Sequence, residues 1–173
     1  MARTVLYFFI LFIAMVILQA VVFNRIWLFN VAIPLVFIFF FLSLPEDTDV
    51  KLVLTLSFIL GISVDIFSDT LGLNALCCTI SAGLRRPIIY LYVPRDESSS
   101  EKVLTPSTMG RGRYMKYLIT MTTLYCTLFF VVLSTEFFSP GRMLLRIAAS
   151  SLLTFILILA FSNFLLPSAD KRK

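Results

Sequence analysis

Among its 173 residues the chain has no histidine and only 3 cysteines. Without imidazole, Ser–His and Cys–His nucleophilic sites are excluded, and so are zinc sites that use His. Cys77, Cys78 and Cys126 show no CxxC spacing and all fall in apolar runs. They read as small packing residues, not as a disulfide or a metal set. No GxxxxGK[ST] stretch occurs, which removes P-loop phosphate chemistry. No GxGD occurs either. Asp65 and Asp69 stand at i, i+4 on one helix face, unlike two opposed acids that share a proton. No catalytic group, metal or cofactor is expected. Charge is scarce, at 14% of residues. There is no internal repeat, no soluble domain, and no dyad alternation of a membrane barrel.

What the sequence does have is apolar length. Hydrophobic residues make up 59%, 18 of them Phe, and the mean hydropathy is +0.95. A soluble core grows too slowly with chain length to hide that much surface. A helix crossing the hydrocarbon needs about 20 apolar residues, and the backbone must satisfy itself there. The predicted class is all-α: a polytopic membrane bundle of six helices, at about 5–23, 28–44, 51–68, 71–93, 114–134 and 143–166, in a single domain over 1–173. The first span is too long for a signal-peptide core and no A-x-A site follows it, so it is expected to stay. Pro34 should start or kink the second helix. Pro87 disfavours helix at Arg86. Trp27 stands where interfacial aromatics sit.

The net charge of +5 reflects topology and does not point to nucleic acid. With the N-terminus inside, only Arg25, Arg142 and Arg146 of the 15 Lys and Arg fall outside. Cytoplasmic loops collect basic residues, so both termini are predicted cytoplasmic. The long polar loop 94–113 joins them on that side. It is expected to be a solvated linker near anionic lipid or a docking segment for a cytoplasmic partner. Arg85, Arg86, Pro87 and Arg95 mark cytoplasmic-side contacts, either as topological anchors or toward lipid or a partner.

The stretch GISVDIFSDTLGLNAL, residues 61–76, is where acid interrupts oil. At 100° per residue, Ser57, Gly61, Asp65, Ser68 and Asp69 share one side of the third helix, opposite Ile59, Leu60, Ile66 and Phe67. Asn74, Cys78, Ser81 and Arg85 share a face of the fourth. Small and polar stripes let membrane helices approach and bond. Asp65 lies about 22 Å up a layer of about 30 Å. A charged Asp costs on the order of 2.5–3.5 kcal/mol at the bilayer centre and less near its edge, so it needs a partner. Arg85 lies too far down its helix to serve. Asn74 and Arg146 have suitable depth, which leaves two readings: an Asp65–Asn74–Arg146 cluster, or an Arg146 that snorkels to the headgroups while Asp65 meets water or is protonated.

These stretches, with LRRP and VPRD after them, resemble the MreD family, bacterial rod shape-determining membrane proteins. The family's Gly, Asp, Gly pattern maps to Gly61, Asp65 and Gly72. The segments NVAIP, ending at Pro34, and PSTMG, from Pro106 to Gly110, resemble Bacteroidota versions. The resemblance covers nearly the whole chain, although each motif is short. It implies a non-enzymatic scaffold in the inner membrane that binds MreC. It also implies the rod complex, which joins MreB filaments to RodA and its transpeptidase partner for lateral peptidoglycan synthesis. The family is grouped by fold with the substrate-binding membrane subunits of energy-coupling-factor vitamin transporters. That sets the alternative: a solute-binding subunit with an outer pocket at Asp65, Asp69 and Asn74.

Overall fold

The computed structural model describes residues 2–23, 32–70, 72–92, 109–133 and 140–165. Trp27, Arg95 and most of the long loop lie outside them. The described chain is all-α: α1 (Ala2–Val21), a 3-10 turn (Val36–Ile38) running into a short α2 (Phe39–Leu42), α3 (Val50–Ser68), α4 (Leu73–Tyr92), α5 (Arg111–Leu133) and α6 (Pro140–Leu165). Helices α3, α4, α5 and α6 pack consecutively, each on the next, while α1 lies against α3 and the 36–42 segment.

The polarity is inverted relative to a soluble protein. Ile66, Phe67, Leu91, Leu144 and Leu152 are each more than 60% exposed, while Gln19, Asp65, Asn74, Arg85, Thr122, Ser150 and Thr154 are buried. Such an exterior suits hydrocarbon, where bare apolar side chains cost nothing and polar ones must turn inward. Among the described residues, three helices are long and apolar enough to cross a membrane: α3, α5 and the Gly141–Ser162 part of α6. The chain therefore reads as a multi-pass membrane protein.

Three such helices replace the six expected. Helix α1 adds a shorter apolar helix, Leu6–Val21, within the residues whose side chains are described. Helix α4 has the length, but Arg85, Arg86 and Pro87 lie within it. The stretch at 28–44 is broken: residues 33–35 are non-helical, and the chain then enters the 3-10 turn and a four-residue helix. Pro34 does more than kink. Pro87 does less than expected, since α4 runs through it to Tyr92. A proline deletes one helical hydrogen bond, and packing on both sides keeps the helix going; Arg85 and Ile89 are buried on either side of it. The loop expected to reach 113 ends sooner, with Gly110 at φ +81° and α5 starting at Arg111. Leu60, expected toward lipid, is fully buried, because α1 packs on α3 as well.

Candidate functional site

The α3–α4 junction is built around Gly61 and Asp65, one turn apart on α3. A Cβ at Gly61 would stand 2.4 Å from Ala75 Cα and 2.7 Å from the Asn74 carbonyl oxygen. Only glycine lets the start of α4 come this close. That approach delivers the first turn of α4 to the Asp65 carboxylate. Oδ1 accepts from Asn74 N at 3.0 Å, Asn74 Nδ2 at 2.9 Å and Thr70 Oγ1 at 2.5 Å, and Oδ2 accepts from Ala75 N at 2.9 Å. The first amides of any helix lack intrahelical acceptors and carry the positive end of its dipole. Asp65 supplies both an acceptor and a countercharge from a neighbouring helix. It acts as an N-cap delivered across a turn.

The turn itself is fixed from the same residue. Asp69 closes α3 in the left-handed region, φ 57° and ψ 33°, and its N–H donates to the Asp65 carbonyl. Thr70 N donates to that oxygen too, at 3.2 Å. Gly72, at φ +77°, then lets the chain reverse into α4. Asn74 extends the cluster to a third helix, because its Oδ1 accepts from Tyr125 Oη of α5 at 3.0 Å. Cys78 Sγ lies 3.9 Å from the same hydroxyl.

A second polar cluster holds the broken segment 32–45, which is buried from Pro34 to Leu44. Backbone at this depth needs partners from the protein. Gln19 of α1 donates to the Pro34 carbonyl at 3.0 Å and accepts from Val36 N at 3.2 Å. From α6, Ser150 Oγ accepts from Ile33 N at 3.0 Å and Thr154 Oγ1 from Leu35 N at 3.1 Å. At the far end Tyr117 donates to the Leu42 carbonyl at 3.4 Å. Arg85 donates to the carbonyls of Leu44 and Pro45. Five side chains from four helices thus replace the hydrogen bonds that a continuous helix would make for itself.

Of the residues singled out in the sequence, Gly61, Asp65, Gly72 and Asn74 come together. Asp69 belongs to the turn, with its side chain exposed. Arg146 does not join: it is exposed on α6, and no hydrogen bond to Asp65 comes from it. Its place in the cluster is taken by Thr70 and Tyr125. Four donors already surround the carboxylate, so it needs no arginine. Arg85 is buried at 1% exposure and donates to the Leu44 and Pro45 carbonyls. Arg86 is half-buried and donates to the Thr48 carbonyl at 3.3 Å, while Pro87 is exposed. Arg95 lies outside the described residues. The three cysteines are buried free thiols.

Sequence reasoning passed over Gln19, Tyr117, Tyr125, Ser150 and Thr154. The signal for Gln19 was there, since it is the single polar side chain in its run. Ser150 and Thr154 stand at i, i+4 on one face of an apolar helix, the same kind of stripe that singled out α3.

The arrangement defines a multi-pass, all-α membrane protein whose polar groups are spent on joining its own helices. The chain matches no known protein family, no curated protein and no solved structure.

Proposed function

We propose that this protein is a non-enzymatic scaffold of the bacterial rod complex. In this reading it sits in the inner membrane with both termini cytoplasmic. There it binds MreC and helps couple MreB filaments, RodA and its transpeptidase partner to lateral wall synthesis, and so to cell shape. Two things support the reading: the resemblance to MreD across 61–76, and the way the Gly61–Asp65–Gly72 pattern is used. The observation that carries it is the saturated Asp65 carboxylate. Four donors of the chain itself occupy its two oxygens, so the motif builds a rigid helical pair and the Asp65 carboxylate is spent on it. What remains for other molecules is the outside of the helices. The solute-binding alternative places acceptors at Asp65, Asp69 and Asn74; the side chains of Asp65 and Asn74 are engaged within the protein, while Asp69 is exposed.

Photocrosslinkers at Ile59 and Ile66 on α3, and at Leu145 and Leu152 on α6, test this in cells. All four side chains are exposed. Capture of MreC from at least one face is the expected result. Normal expression of all four variants with no rod-complex protein captured would sink the proposal. A small solute co-purifying with the wild-type chain and lost in Asp65→Asn would favour the transporter reading instead.

A further inference from the structure

The end of the α3–α4 pair remote from Asp65 is less complete. A small, partly open cleft lies beside the start of α3, with Thr48, Val50, Ala82, Arg85 and Arg86 among the residues that line it. Its volume is about 10 Å³, room for about one oxygen-sized group. Arg85 lines this cleft while almost completely buried, and its Nε–H is a buried donor without a partner. Its terminal nitrogens and that of Arg86 go to backbone carbonyls, not to carboxylates. Arg is almost never fully buried without a pairing group, and removing a charge from water without a countercharge is costly. The unmet requirement is for an anionic oxygen.

Two further observations say what kind. Helix α3 is a candidate span that begins at Val50, so the cleft lies where the hydrocarbon starts and lipid phosphodiesters sit. The loop beside the cleft carries the opposite sign. Glu46 is half-buried, and Asp47 and Asp49 are exposed on either side of Thr48. Asp49 is engaged as the N-cap of α3, accepting from Lys51 N at 3.3 Å. Glu46 and Asp47 immediately precede Thr48, which lines the cleft. Buried cations with acids outside them complement a headgroup whose inner group is anionic and whose outer group is cationic. The same acids repel a free dianion.

We propose that the Arg85–Arg86 cleft binds the phosphodiester of a phospholipid with an ammonium headgroup, such as phosphatidylethanolamine. One non-bridging phosphate oxygen enters the cleft beside the Arg85 guanidinium, the phosphate lies against Arg86, and the ammonium faces the acidic Glu46–Asp47 loop. Binding requires only that α3 be embedded in a membrane. It stands or falls independently of the scaffold reading.

The test uses the full chain, purified in detergent and stripped of lipid. It is titrated with short-chain phosphatidylethanolamine, with short-chain phosphatidylglycerol and with inorganic phosphate, and bound species are counted by native mass spectrometry. Phosphatidylethanolamine should bind most tightly, and Arg86→Ala should weaken it about tenfold, the loss of one charge-assisted hydrogen bond. Arg86 is the position to change because Arg85 also holds the Leu44 carbonyl. The loop pair Glu46→Gln with Asp47→Asn should retain lipid binding and erase the preference over phosphatidylglycerol. Equal affinity in wild type and Arg86→Ala would overturn the proposal. So would inorganic phosphate binding as tightly as the lipid, or an undiminished headgroup preference in the loop variant. The loop variant decides the matter if Arg86→Ala does not fold.

Discussion

The α3–α4 pair has a buried ionisable group at each end, and the two ends are finished differently. At one end Asp65 meets four donors, two of them the first amides of α4. At the other, Arg85 donates to the Leu44 and Pro45 carbonyls, meets no carboxylate among the described residues, and keeps a buried Nε–H without a partner. The acid sits at the positive end of a helix dipole, where its charge is favoured. The arginine sits where a broken segment ends and orphan carbonyls collect. Carbonyls satisfy hydrogen-bonding geometry without neutralising a full charge. One end is therefore closed by the fold itself, and the other is open to an outside anion.

Four substitutions sharpen or break that contrast. The largest effect is expected from Gly61→Val. A branched side chain would have to occupy space already filled by the Ala75 backbone, and the cost should exceed about 3 kcal/mol, the upper end for ordinary overpacking. Fluorescence size-exclusion chromatography in detergent should show loss of the monodisperse peak. A normal peak would mean that the close approach at Gly61 is not required.

Asp65→Asn comes next. Asparagine presents an NH₂ group where the carboxylate accepted hydrogen bonds, and the change should cost about 3 kcal/mol, the upper range for a hydrogen bond to a charged group. The readout is a lowered Tm in detergent. A Tm within a degree or two of wild type would put Asp65 outside the fold's essential contacts.

Arg85→Met should cost less, about 2 kcal/mol. It leaves the Leu44 and Pro45 carbonyls unpaired, yet it also removes a poorly compensated buried charge. If Arg85→Met proves more damaging than Asp65→Asn, the order of the two ends is reversed. The smallest effect belongs to Asp69→Asn. Asn tolerates the left-handed conformation as Asp does, and this exposed side chain makes no hydrogen bond among the described residues. Tm should correspond to a change within about 0.5 kcal/mol. A loss matching that of Asp65→Asn would show that the two acids act together.

Much of the α3–α4 pair was legible in the chain. Helical spacing put Ser57, Gly61, Asp65, Ser68 and Asp69 on one side and Asn74, Cys78, Ser81 and Arg85 on another; all are buried except Ser68, which is half-buried, and Asp69, which is exposed where the helix ends. Arg146 was misassigned because depth was treated as sufficient for contact. Equal depth fixes position along a helix, and neighbours are chosen by which helices pack and how they are rotated. The broken segment was legible only as Pro34. Its apolarity matched a span, and hydropathy cannot distinguish a helix from buried irregular backbone whose partners come from elsewhere.

The sequence by itself determined that this chain is helical, apolar outside and polar within, because an acid or amide in an oily run has to turn away from lipid. It also determined that Gly61 and Asp65 share a helix face, since 3.6 residues per turn leaves no choice. Only the tertiary structure decided that the first turn of α4 is Asp65's partner, and that Gln19, Ser150, Thr154, Tyr117 and Arg85 hold the segment around Pro34. Those bonds join residues up to 119 positions apart. Nothing local in a sequence encodes which distant donor reaches which carbonyl.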